Sequence, residues 1–139
     1  MKKILIFSLV ITLFASCSKE YTHLKVIDLQ ADVYSWQYSN DIDNNFYFVG
    51  FNVPEITDLV YNSGIVSMSI EYWATDGSNF QTSLPNVRHF EAWENGNLFL
   101  WTRTIDFEYY RGGVSVFVTN SDFVDERPGN MRFLLKLIW

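Results

Sequence analysis

The chain has 139 residues, ten of them basic and sixteen acidic, a net charge of −6 and a single cysteine. That length suits one domain with a real core, and the acidic balance argues against nucleic acid or anionic membrane surfaces as partners. One cysteine excludes an internal disulfide framework, while 18% aromatic residues and only three prolines exclude long disordered stretches.

Met1 to Cys17 has the layout of an export signal. Lys2 and Lys3 form a positive start, an apolar-rich run of eleven residues follows from Ile4 to Phe14, and the small pair Ala15-Ser16 precedes Cys17. A membrane span needs about 20 apolar residues, so this run is too short to be one. Phe14-Ala15-Ser16-Cys17 resembles the lipobox at which a lipoprotein signal is cut after acylation of the cysteine sulfur. The reading is therefore a signal peptide over 1–16, lipidation at Cys17 and a tether over 17–24. An ordinary secretory signal with Cys17 merely near the cut is the alternative. Several acyl chains, palmitate among them, would make attachment to the membrane effectively permanent. Ser18 is not the aspartate that retains many lipoproteins at the inner membrane, which predicts the outer membrane. Lys19 and Glu20 resemble the surface-export signal of Bacteroidetes lipoproteins. Cleavage removes Lys2 and Lys3 and leaves eight basic residues against sixteen acidic ones.

From Lys25 the pattern has period two. Ile27, Leu29, Ala31 and Val33 alternate with Asp28, Gln30 and Asp32, which predicts a half-buried strand. The apolar phase then shifts to Tyr34, Trp36 and Tyr38, which predicts a bulge near Val33. Ser39 to Asn45 reads as a turn. Phe46 to Val53 is apolar on both phases and is ended by Pro54. Glu55 to Asn62 can wind one or two helical turns before Asn62-Ser63-Gly64 reverses the chain. Ile65 to Ala74 is the clearest strand, with Val66, Met68, Ile70 and Tyr72 facing one way and Ser67, Ser69 and Glu71 the other. Thr75 to Asn79 carries the Asp-Gly hairpin signal. Further strands follow at Phe80–Leu84, Val87–Trp93, Leu98–Asp106, Val114–Thr119 and Met131–Trp139. Turns separate them at Glu94 to Asn97, at Gly112-Gly113 and at Arg127 to Asn130. Seven or eight short strands spaced in this way predict an all-β fold over 25–139, a single antiparallel β-sandwich of immunoglobulin-like type. A small closed barrel fits the same pattern.

Val53-Pro54-Glu55-Ile56-Thr57, Gly64-Ile65-Val66 leading into Tyr72, Leu84-Pro85 and Met131-Arg132-Phe133-Leu134-Leu135 resemble a group of small Bacteroidetes outer-membrane lipoproteins of uncharacterised function. The resemblance runs from about Trp36 onward. It implies a β-sandwich on the cell envelope, and because its motifs are strand and turn landmarks it implies no site residues.

Catalytic and metal chemistry finds few parts. Asp41, Asp43 and Asn45 have the opening spacing of a calcium loop, but Phe46 stands where that loop needs glycine and Asn52 where it needs glutamate, so a polar hairpin is the better reading. Asp122, Asp125 and Glu126 read as solvated acids beside Arg127. His23 and His89 are too few for a zinc site or a histidine-based triad. No nucleophile elbow, zinc-protease helix or phosphate loop is present. Hence the expectation is a protein without catalytic activity, cofactor or bound metal.

Aromatic residues on wet strand phases remain. Trp73 shares its phase with Ser67, Ser69 and Glu71, and Trp93 shares its phase with His89 and Glu91, so both point outward if Met68, Ile70 and Phe90 point in. Exposed aromatics flanked by acids and amides suit sugar rings, whose C–H faces they cover while the polar neighbours bond the hydroxyls. Tyr109 and Tyr110, before Gly112-Gly113, would extend such a patch. The competing reading buries Trp73 or Trp93 through a phase switch. Together these features predict a binding or adhesion module of the outer envelope, with glycan as the leading ligand class. The alternative is an accessory subunit docked on a larger outer-membrane complex.

Overall fold

The computed structural model describes residues 24–41, 44–121 and 126–139. The expected export signal, Cys17, most of the expected tether, His23, Asp43, Asp122 and Asp125 lie outside the described residues. The elements are β1 (Val26–Val33), β2 (Gln37–Asp41), β3 (Asn44–Asn52), α1 (Asp58–Ser63), β4 (Ile65–Trp73), β5 (Asn79–Ser83), β6 (Asn86–Glu94), β7 (Asn97–Tyr110), β8 (Gly113–Asn120) and β9 (Met131–Ile138).

Two antiparallel sheets pack face to face, as in immunoglobulin-type domains. One has the order β1-β9-β4-β5 and the other β2-β3-β8-β7-β6. Alternation along each strand sends one set of side chains between the sheets. From the first sheet come Phe133, Leu135 and Leu137 of β9 with Met68 and Ile70 of β4; from the second come Val114, Val116 and Val118 of β8. All of these are buried. Val66 and Tyr72, on the same phase of β4, are partly buried and packed against this core.

Strand β2, which brings the total to nine where seven or eight were expected, explains the phase shift after Val33. Instead of bulging, the chain leaves the first sheet at Val33, crosses over 34–36 and enters the second sheet as β2. Trp36 plugs the crossing. It is buried, meets Phe133 edge-on at 6.3 Å and donates its indole N–H to the Gly129 carbonyl at 3.1 Å. Strand β3 is apolar on both phases because its outer phase is covered too: Phe46 packs edge-to-face on Phe48 and on Phe117 of β8.

Thr57 caps α1 by accepting the Val60 N–H, and Val60 is fully buried. Gly64 then brings the chain against β9, where a Cβ would meet the Val60 and Ile138 carbonyl oxygens. At this same end Gly112 bonds Val53 and Ile56, Arg111 pairs with Asp58, and Lys25 exchanges backbone bonds with Trp139. The opposite end carries the β6–β7 hairpin, whose two-residue turn at Asn95-Gly96 takes positive φ at both positions. Pairing of β7 with β8 stops at Arg103, and the Thr102 N–H donates to the Ser121 hydroxyl at 2.8 Å; residues 97–101 have β6 as their ladder partner, and the hairpin extends beyond the β7–β8 ladder.

Replacing Phe133 by Ala removes a buried ring from the contact between the sheets, and a loss of about 3–5 kcal/mol is expected. Urea unfolding followed by far-UV circular dichroism checks this.

Candidate functional site

The outer face of the four-stranded sheet is built in rungs set by strand register. Asp28, Lys136 and Ser67 form one rung, and Gln30, Leu134, Ser69 and Ser83 the next. Serines on β4 and β5 are short, while Gln30, Lys136 and Gln81 around them are long. The surface therefore sinks into an open groove of about 600 Å³ lined by these residues. Its polar groups are amides, hydroxyls, one carboxylate and one ammonium. Donors and acceptors alternate over a few ångströms, which matches a ligand rich in hydroxyls.

The next rung is ionic. Arg132 donates Nε to Asp32 Oδ1 at 2.6 Å and Nη2 to Asp32 Oδ2 at 3.4 Å, and its Nη1 reaches Glu71 Oε2 at 3.3 Å. Asn79 donates to the other Glu71 oxygen at 2.9 Å. Glu71 is buried although its phase points outward, and these partners compensate its charge. The hydrogen bonds from Arg132 hold the Asp32 carboxyl below the usual carboxylate range, and the same contact raises Arg132.

Trp73 stands one position further along β4 on this outer face. The Arg132 guanidinium carbon lies 5.1 Å from its ring centroid, and 53% of the residue stays exposed. The groove, the ionic rung and Trp73 thus follow one another along a single sheet face.

The other expected site residues lie elsewhere. His89, Glu91 and Trp93 occupy the outer phase of β6, on the opposite face of the sandwich. Trp93 is 69% exposed, and the His89 ring nitrogen Nδ1 sits 3.0 Å from the Thr102 hydroxyl. With Leu98, Phe99 and Leu100, also exposed, Trp93 makes an apolar end to the free hairpin. Tyr109 and Tyr110 are at the far end of β7. The Tyr109 ring meets Tyr61 of α1 edge-on at 5.8 Å, and the Tyr110 ring lies over Gly113, where a Cβ would strike it. So the six residues do not form one patch, because the two tryptophans are on strands of different sheets whose outer faces point apart. Gln30, Ser69, Gln81 and Arg132, which line or brace the face that carries Trp73, were not singled out by sequence. Gln30 and Ser69 carried only a polar phase there, and Gln81 and Arg132 only their place in expected strands.

A scan against protein-family models finds no match, and neither curated proteins nor solved structures give one.

Two outcomes follow from the site's geometry. Trp93 contacts solvent over most of its surface, so Trp93→Ala is expected to change unfolding free energy by less than about 0.5 kcal/mol in urea melts. Asp32 ionises at lower pH in the folded chain than in the unfolded one. Its contribution is therefore present above the ordinary aspartate range and is lost as pH falls through its folded value. Urea melts of the native chain and Asp32→Asn at several pH values should show a stability gap that closes below about pH 4.

Proposed function

We propose that the chain is a non-catalytic binding module of the bacterial envelope, held at the outer membrane by acyl chains on Cys17, with a glycan as its ligand. The observation that carries this reading is the groove of about 600 Å³, walled by Gln30, Ser69, Gln81 and Lys136 on the face that also bears Trp73. Sugars combine apolar C–H faces with dense hydroxyls, and this surface offers an exposed indole and alternating donors and acceptors to meet both. The export-signal pattern supports the compartment, as does the resemblance to small Bacteroidetes lipoproteins. Orientation is consistent with the anchor: Leu24 leaves from the α1 end, so the hairpin points away from the lipid.

An accessory subunit docking on a larger envelope complex is the second reading. It is favoured by the apolar hairpin end, where Trp93, Leu98, Phe99 and Leu100 are exposed together.

The test is a thermal-shift screen of the purified full chain in detergent against plant, mucin and microbial glycans. A ligand at a hundred times its dissociation constant stabilises by about 2.7 kcal/mol. The expected result is a shift that Trp73→Ala and Gln81→Ala each reduce and Trp93→Ala leaves intact. A shift lost only in Trp93→Ala would move the site to the hairpin. No shift across the panel would reject the glycan reading in favour of the docking subunit.

A further inference from the structure

Where the two sheets part beside β5 and β6, a cavity of about 190 Å³ is lined by Tyr72, Asn86, Arg88, Phe90 and Arg103 among others. Arg88 and Arg103 are directly opposite each other in the β6–β7 ladder. Like charges in that relation are destabilising unless something compensates them. Arg103 has its compensation: Nη2 reaches Glu126 at 3.0 Å and Nε donates to Asn120 at 2.9 Å. Arg88 has none. Its guanidinium carbon sits 3.8 Å from the Tyr72 ring centroid and 5.8 Å from that of Phe80, and among the described residues it has neither a hydrogen bond nor a carboxylate partner.

Three of the five arginines of the chain, Arg103, Arg111 and Arg132, have carboxylate partners among the described residues, and acids outnumber bases sixteen to ten. Stacking on Tyr72 engages the flat face of the Arg88 guanidinium and leaves the N–H donors at its edge. Asn86 adds another donor, because its Oδ1 accepts the Tyr72 hydroxyl at 3.2 Å and its Nδ2 has no partner among the described residues. The polar groups of the cavity are thus cations and donors, with aromatic rings as walls.

We propose that this cavity binds an oxyanion, a carboxylate or phosphate carried by a small ring, with Arg88 as the bidentate contact. A planar guanidinium fork fits such a group through two parallel hydrogen bonds, and the anion would neutralise the Arg88–Arg103 repulsion. The volume is below that of pockets for drug-sized ligands, so it accepts one charged ring or a terminal group. This site is separate from the groove and does not rest on the glycan reading.

Thermal unfolding of the full chain tests it, with sodium glucuronate and sodium phosphate as probes against sodium chloride at equal ionic strength and neutral glucose. At least one anion is expected to raise the midpoint above the chloride control, with glucose inert. Arg88→Gln should abolish that shift, and Arg127→Gln, at an arginine outside the cavity lining, should keep it. A shift with glucuronate alone assigns the carboxylate, and one with phosphate alone assigns the phosphate. If Arg88→Gln does not fold, Arg88→Lys keeps the charge without the fork and should weaken binding at least tenfold. A midpoint unmoved by both anions, or a shift undiminished in the Arg88 variants, overturns the proposal.

Discussion

The contact between β8 and β9 is the constraint on which the rest depends. Val114, Val116 and Val118 from one sheet face Phe133, Leu135 and Leu137 from the other, and all six are buried. No disulfide supports this layer, since the only cysteine lies at position 17. Exclusion of water from these six apolar side chains, with their neighbours on β4 and α1, therefore fixes which phase of every strand is inside. Once that is fixed, the outer faces are determined as well: the serine-floored groove, the Arg132 rung and Trp73 are what the inward phase leaves on the other side.

Much of this was legible in the chain because period-two alternation is a local property. The inward set on β4 and the outward placement of Trp73 and Trp93 follow from counting within one strand. The α1 turn could be read from Pro54 at its start. What alternation does not carry is the identity of the neighbouring strand. After Val33 the sequence shows only that the buried phase changes. A bulge and a move to the other sheet produce the same string, and the pairing of β2 with β3 in the second sheet distinguishes them. The same limit scattered the expected aromatic patch. Outward on β4 and outward on β6 are opposite directions, because β4 and β6 belong to different sheets. The groove was hidden for the complementary reason, since Gln30, Ser69, Gln81 and Lys136 meet only through the β1-β9-β4-β5 order.

Electrostatics in this acidic chain are locally balanced on the outer face of the first sheet and unbalanced near the parting of the sheets. Asp28 meets Lys136 at 3.3 Å, and Arg132 bridges Asp32 and Glu71. Exposed pairs of this kind add little stability. Their effect here is geometric, for they hold Glu71 beneath the surface and keep Arg132 against Trp73. Arg88 and Arg103 present the reverse case, two cations in one rung of which Arg103 pairs with Glu126 and Arg88 has no carboxylate partner among the described residues.

The separation of the Leu24 end from the β6–β7 hairpin has a mechanical meaning. A chain held at its first described residues and drawn upon from the hairpin would be loaded along its strands. Strand β1 attaches to its sheet through β9 alone, over eight antiparallel residue pairs from Val26 with Ile138 to Val33 with Met131. Traction along that axis shears the whole ladder at once, so its bonds share the load instead of parting in sequence. The fold therefore resists traction applied between Leu24 and the β6–β7 hairpin as a sheared ladder.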